Sequence, residues 1–353
     1  PQCWIVSGHA EVLEGFSGGL PLSNTQMPQA LYRVMEPEAL HRRIPNAVRY
    51  MPLTVQNLDG PTHARIRKLV VKAFNRRLVE SLRPYVQERT RQLLAKVPTD
   101  TPIEFNEGVA RMLPGAVILK LLGLDPDKYL QRLKGWSDGV TIALTTFNPR
   151  PEWLDQLEVV VSDMVEVFRE AIAKRREQPS DDLISELVTA VDGDARFSED
   201  EMIGTLLIGI TAGHDTTVNS LSLGLQALAN HPEAWSYWRE HPERGLACTN
   251  ELMRYIAMST AMPRIVAEDF EWRGRHLKQG QLVMLMIAGG NRDPGAFPQP
   301  ERLDFSRPND TVLTFGPGIH HCIGHLLAKL QLQEFFGALT QTFAGAHLVQ
   351  PPQ

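Results

Sequence analysis

Apolar residues recur every three to four positions through most of this chain, the spacing of helices that bury one face. In residues 77–97, Leu78, Leu82, Val86, Leu93 and Val97 fall along one face of a predicted helix. Residues 157–176 repeat the pattern with Val161, Val165, Phe168 and Ile172. The longest helical candidate covers residues 197–232. Ser198 and Glu201 make a capping-box pattern at its start, and Asn230-His231-Pro232 is a stop at its end. Thirty-odd residues at 1.5 Å each would span roughly 45 Å, enough to cross a domain. Strand-like stretches are few: "WIVS" near the start, "RIVAEDFEW" and "QLVMLMIA". Residues 20–60 show little periodicity and are expected to form a long irregular connection of the functional kind. The pattern predicts a mainly α protein with a minor β-sheet region, arranged as one large domain over residues 1–353.

Composition narrows the function classes. A hydrophobic content of 43% supplies a sizeable core, and a net charge of −5 argues against a nucleic-acid binder. Three cysteines, Cys3, Cys248 and Cys322, are too few and too scattered for a disulfide framework. Without a signal peptide or an apolar run long enough to cross a bilayer, a soluble cytoplasmic protein is expected.

The densest chemistry lies in "FGPGIHHCIGHLLA", residues 315–328. Cys322 ends a loop containing Gly316, Pro317 and Gly318, and an apolar helical run follows. A sulfur at a helix N-terminus would meet unpaired N–H groups and the positive end of the helix dipole, both favouring thiolate. Gly324 leaves room for a flat, bulky group against the backbone. A thiolate there is a soft ligand for iron. Two other readings exist: a cysteine that merely packs, and a zinc site from His320, His321, Cys322 and His325, although four ligands within six residues would strain tetrahedral geometry. Covalent c-type haem attachment is excluded, because it needs Cys-x-x-Cys-His.

"FGPGIHHCIG" resembles the haem-binding signature of cytochrome P-450, Phe-Gly-x-Gly-x-His-x-Cys-x-Gly, at every fixed position. The resemblance implies the cytochrome P-450 fold, a helical prism enclosing haem b. Cys322 would be the proximal ligand, Phe315 and Gly316 would border the sulfur, and His320 would reach a propionate. "AGHDTT" in the long helix resembles the family's oxygen-activation motif. There Ala212 and Gly213 would leave space for a ligand on iron, while Asp215 and Thr216 would relay the two protons that split dioxygen. The Thr216 hydroxyl could bond the Ala212 carbonyl and loosen the helix. "NELMRY" resembles Glu-x-x-Arg, with Glu251 and Arg254 in a buried network completed by Arg302; losing a member would cost roughly 3–5 kcal/mol. "DGPTHARIR" resembles the haem-contacting His-x-x-x-Arg helix. Its His63 and Arg67 would bind a propionate together with Arg264.

The resemblance covers the chain from about Trp4 to its end, as a single haem domain expected to lack the family's first helix and last β-hairpin. It implies a monooxygenase that inserts one oxygen atom of O2 into a small molecule, using two electrons from a ferredoxin or flavodoxin. A basic stripe of Arg65, Lys68, Lys72 and Arg76 suggests where an acidic donor would dock. The implied pocket draws on residues 20–56, 141–147, 207–212 and 259–262. Lacking fixed charge, it fits a largely apolar, oxygen-bearing natural product such as a macrolide, terpenoid or polyketide. The alternatives are a peroxide-driven haem-thiolate peroxygenase and a non-catalytic haem sensor.

Overall fold

The structure is a computed structural model, and it describes residues 3–25, 35–145, 150–308 and 311–349. Strand β1 (Cys3–Val6) is followed by helix α1 (His9–Phe16) and strand β2 (Leu22–Ser23). Helices α2 (Pro37–Arg43), α3 (Pro45–Tyr50), α4 (Gly60–Ala73), α5 (Arg76–Ser81) and α6 (Arg83–Leu94) come next. The central helices are α7 (Met112–Leu122), α8 (Pro126–Thr145), α9 (Pro151–Glu177), α10 (Leu183–Thr189) and α11 (Glu199–Asn230). Helices α12 (Pro232–Glu240) and α13 (Gly245–Ile256) lead to strands β3 (Met262–Val266), β4 (Phe270–Trp272), β5 (Arg275–Leu277) and β6 (Leu282–Leu285). Helices α14 (Ile287–Gly290) and α15 (His325–Thr342) complete the order. The mainly α fold with small sheets matches the expectation from the periodicity.

The chain gathers into two compact units, one of residues 1–22, 82–114 and 216–353, the other of residues 23–81 and 115–215. The first holds the four-stranded sheet, in the order β1-β6-β3-β2. β1 pairs parallel with β6, Cys3 opposite Leu282, and β3 pairs antiparallel with β6, Arg264 opposite Val283. Alternation on these strands sends Val283 and Leu285 into a core with Val12, Phe16, Val266, Ile287 and Leu313. β4 and β5 form a separate hairpin.

The second unit is helical. α9 buries Val161, Val165, Phe168 and Ile172, each at most 2% exposed, as their spacing predicts. Residues 20–60 contain more order than expected. Short helices α2 and α3 each begin on a proline, whose fixed φ suits the first turn, and the Glu158 carboxylate of α9 accepts the backbone N–H groups of Asn46 and Ala47 at 3.0 Å. Six- and seven-residue helices leave almost no periodic signal. The predicted helix over 77–97 is also divided, at Leu82, because Pro84 cannot donate to the preceding turn.

α11 runs 32 residues through both units. Its capping box forms as the sequence predicts: Ser198 N donates to Glu201 Oε2 at 2.8 Å, and Glu201 N donates to Ser198 Oγ at 3.2 Å. The helix is continuous through Ala212–Thr216, so no interruption accompanies the motif. No helix among the described residues is long and apolar enough to cross a membrane.

Candidate functional site

The cysteine loop is held by a relay of buried polar groups that starts on α13. Glu251 and Arg254 are fully buried, and the Arg254 guanidinium uses all five of its N–H donors. Two go to the Glu251 carboxylate at 2.8 and 2.9 Å, and three to the carbonyls of Asn291, Pro300 and Arg302. The ring of Phe297 lies 5.3 Å from the guanidinium carbon. A buried ion pair satisfied this fully fixes the backbone it touches.

The side chain expected to complete this network is a different arginine. Arg307, 8% exposed, sits with Nε 3.3 Å from Glu251 Oε1. Arg302 contributes only its carbonyl and turns its side chain to Gln299 at the surface. Both arginines lie in the same irregular stretch, where spacing does not say which one turns inward.

Asn291 carries the order onward. Its carbonyl is held by Arg254, its Oδ1 accepts the N–H of Leu313 at 2.8 Å, and its Nδ2 donates to Thr314 Oγ1 at 3.1 Å. The Thr314 hydroxyl in turn donates to Met253 O on α13. The loop then closes on itself, with Cys322 N donating to Phe315 O at 2.9 Å. Gly316 and Gly318 take φ values of +63° and +89°. A Cβ on Gly318 would lie 2.1 Å from the carbonyl oxygen of Phe16, so only glycine fits.

Cys322 presents an exposed thiol. It stands two residues before Gly324, the N-cap of α15, and so precedes the first turn of the helix it was expected to begin. The intervening turn lets the Cys322 carbonyl accept from His325 N, and His325 Nδ1 lies 2.9 Å from the same oxygen. A Cβ on Gly324 would meet only the Cys322 sulfur, at 3.9 Å. The Phe315 ring contacts the His321 and His325 rings and lies 5.2 Å from the Lys329 ammonium. Arg264, 7% exposed on β3, stacks over Phe16, the residue that also borders Gly316 and Gly318. Cys322, Phe315, Gly316, His320, Gly324 and Arg264 therefore share one unit.

The helical unit holds the other predicted residues except Thr216. His63 is buried and Arg67 half-buried on α4. Ala212 is exposed midway along α11, between buried neighbours Thr211 and His214. The space spared by Gly213 is taken by Ile118 of α7, 3.1 Å from where its Cβ would be, so this glycine serves helix packing. Asp215 is enclosed: burial pushes its carboxyl up, but hydrogen bonds from His214, Thr141 and Ser137 outweigh burial and hold it at about 2. Thr141 Oγ1 donates to Asp215 Oδ2 at 2.6 Å, and His214 Nδ1 lies 3.0 Å from Oδ1. Thr216 belongs to the first unit, where its carbonyl accepts from Ser220 Oγ at 2.7 Å.

Three charges of the basic stripe have partners, while Arg76, at the start of α5, is exposed. Arg65 is paired with Glu201, Lys68 Nζ lies 2.6 Å from Asp192, and Lys72 donates to the Val191 carbonyl. Acids distant in sequence meet these charges, which the linear pattern does not reveal. Of the implied pocket residues, 26–34, 146 and 147 lie outside the described residues.

In this mainly helical fold a rigidly supported loop presents the exposed Cys322 thiol, a group suited to ligating a haem iron. The sequence pattern of the family "Cytochrome P450" matches residues 142–241 and 246–353. The 6-deoxyerythronolide B hydroxylase of Saccharopolyspora erythraea is 33% identical over 350 residues, covering 98% of this chain and 84% of that one. Nocardicin C N-oxygenase of Nocardia uniformis is 31% identical over 355 residues, covering 100% and 85%. The crystal structure of P450BioI, in complex with acyl carrier protein ligated to hexadec-9Z-enoic acid, superposes with a TM-score of 0.86 at 28% identity, covering 98% and 86%. The chain belongs to the cytochrome P450 family and is a haem-thiolate monooxygenase. The cysteine loop fits that group: the thiol is exposed and Gly324 leaves the space beside the sulfur open.

Proposed function

We propose that this protein hydroxylates a largely apolar, oxygen-bearing natural product, with Cys322 as the thiolate ligand of haem b. The observation that carries this reading is the Glu251–Arg254–Asn291 relay, which fixes the loop presenting the exposed Cys322 thiol. When bound, the haem supplies dioxygen activation, strengthened by electron donation from the thiolate. The balance is one O2, two electrons and two protons, giving one oxygen atom in the substrate and one molecule of water.

The protein's part is binding, orientation and proton supply. Phe315, Gly316 and Gly324 bed the cofactor around Cys322. His63, Arg67, Arg264 and His320 are donors suited to its two propionates. Ala212 keeps the reacting face of α11 free of bulk, while Gly213 admits Ile118 of α7. Asp215 passes protons from its hydrogen-bonded surroundings toward the Thr216 hydroxyl. Residues 1–353 make a single haem domain.

The substrate class rests on the apolar character of the implied pocket and on relatives such as the mycinamicin IV hydroxylase/epoxidase of Micromonospora griseorubida and the polyketide biosynthesis cytochrome P450 PksS of Bacillus subtilis. The electron donor is a ferredoxin or flavodoxin, and the protein works in the cytoplasm. With Arg65, Lys68 and Lys72 of the stripe engaged by Glu201, Asp192 and Val191, a cleft lined by Asn250, Phe315, Gly316, Pro317, His321 and Lys329 beside the cysteine loop is the better docking place.

The test is the carbon monoxide difference spectrum of the dithionite-reduced protein, for the wild type and Cys322→Ser. A strongly red-shifted Soret band that is lost in the variant supports the assignment. Red-shifted bands in both would overturn it. Spectral titration with neutral macrolides, terpenoids and polyketides tests the substrate class, which tight binding of a highly charged compound alone would sink.

A further inference from the structure

His214 occupies the variable position of "AGHDTT", where the residues alone suggest no role. It is 2% exposed, and Nδ1 lies 3.0 Å from Asp215 Oδ1 and 3.2 Å from Ser137 Oγ on α8. Ser137 is fully buried. An ionised carboxylate only accepts hydrogen bonds, so Nδ1 carries the hydrogen and donates it. The Ser137 hydroxyl accepts part of that hydrogen and gives its own to Asp215, while Thr141, one turn further along α8, donates to the other carboxylate oxygen at 2.6 Å. Three donors thus converge on one carboxylate and turn it toward α8. His214 has room for this because α7 opposes it with Gly115, where even an added Cβ would stand 3.6 Å from Nε2.

We propose that His214 is a positioning residue for Asp215: its Nδ1–H holds the carboxylate on the α8 hydroxyls and thereby sets how readily Asp215 takes up and hands on protons. The inference rests on Asp215 being the proton relay of the proposed function. With three donors the carboxylate is a weak base, so each proton it carries requires loosening this set. The side chains that act on the carboxyl are His214 beside it and Thr141 and Ser137 of α8. α8 contributes Ser137 and Thr141, with Lys134 and Asp138 elsewhere on that helix, and α7 contributes the non-titrating Gly115 and Ile118.

The test uses the reconstituted holoenzyme and four variants: His214→Phe, His214→Asn, Asp215→Asn and the double variant His214→Phe/Asp215→Asn. Product formed per electron pair consumed is followed from pH 5.5 to 9, and the urea midpoint of the holoenzyme from pH 5 to 3. Asparagine retains a donor near the place of Nδ1, whereas phenylalanine retains only the ring. In His214→Phe the fall of coupling with rising pH is expected to move up by about one pH unit, a tenfold change in proton affinity. The acid dependence of its urea midpoint should shrink toward that of Asp215→Asn. His214→Asn should restore both, and the Phe substitution should have no further effect in the Asp215→Asn background. Equal profiles for wild type and His214→Phe overturn the proposal, as does His214→Asn behaving like His214→Phe. A Phe effect that persists without Asp215 overturns it while leaving the relay intact. If Asp215→Asn itself leaves coupling unchanged, the relay reading fails, and the urea midpoints still report whether His214 holds the carboxylate.

Discussion

Replacing Asn291 with alanine tests how the buried ion pair reaches the cysteine. The side chain is fully buried and makes two hydrogen bonds, Oδ1 with Leu313 N at 2.8 Å and Nδ2 with Thr314 Oγ1 at 3.1 Å. Its backbone carbonyl, which Arg254 holds, is untouched by the substitution. Each lost bond is worth about 1 kcal/mol, and leaving the buried Leu313 N–H unpaired adds about 1–3 kcal/mol. The sum is about 3–5 kcal/mol. With a urea slope near 3 kcal/mol per molar, the unfolding midpoint should fall by about 1–1.5 M. The damage should concentrate at the loop, so the red-shifted carbon monoxide band should give way to an unshifted one at lower urea than global unfolding, followed by tryptophan fluorescence. Asn291→Asp keeps the acceptor for Leu313 and should lose less. If Asn291→Ala costs under 1 kcal/mol, or if both signals still change together, the relay does not support the loop and the reasoning is wrong.

Four further substitutions follow from the same geometry. Gly318→Ala forces a Cβ to 2.1 Å from a backbone oxygen at a positive φ, and should abolish haem incorporation or cost about 3 kcal/mol or more, read from haem content and denaturation. Gly324→Ala, at φ −77° with only the sulfur nearby, should leave stability within about 0.5 kcal/mol, while the haem-loss rate to apomyoglobin rises. Arg307→Ala should cost about 2–3 kcal/mol and Arg302→Ala under about 0.5 kcal/mol in urea denaturation; the reverse order would restore Arg302 to the network. The depressed carboxyl of Asp215 contributes stability that is present above its unfolded value near 3.8 and lost as pH falls through about 2. A wild-type advantage over Asp215→Asn of about 2 kcal/mol at pH 5 should therefore narrow toward pH 3, and a widening gap would contradict the assigned direction.

Much of this was legible in the residues. The capping box and the Pro232 stop bounded α11, and the three-to-four spacing of Val161, Val165, Phe168 and Ile172 chose the face that α9 buries. Local chemistry wrote those features, so local reading found them. What escaped depends on partners distant in the chain. Choosing Arg307 over Arg302 needs the path of an irregular loop, and neutralising the α4 stripe needs Glu201 and Asp192, more than a hundred residues away. Gly213 looked like space for a ligand until α7 placed Ile118 there. Ser137 and Thr141, an i,i+4 polar pair on α8, carried a faint signal, since two hydroxyls one turn apart share a face. Asn291 carried none.

The pairing of β1 with β6 bears on how the protein is made. Cys3 finds Leu282 only after about 280 further residues have left the ribosome, which at about 5–20 residues per second means roughly 15–55 s. During that interval β1 has no β6 to bond, and its apolar side chains have no sheet core to enter. The finished sheet still leaves β1 at its edge, with Ile5 71% exposed. An early strand that waits for a late partner is a place where nascent chains can pair with one another. Synthesis speed and chaperone supply, more than the stability of the finished fold, would then govern the yield of intact enzyme.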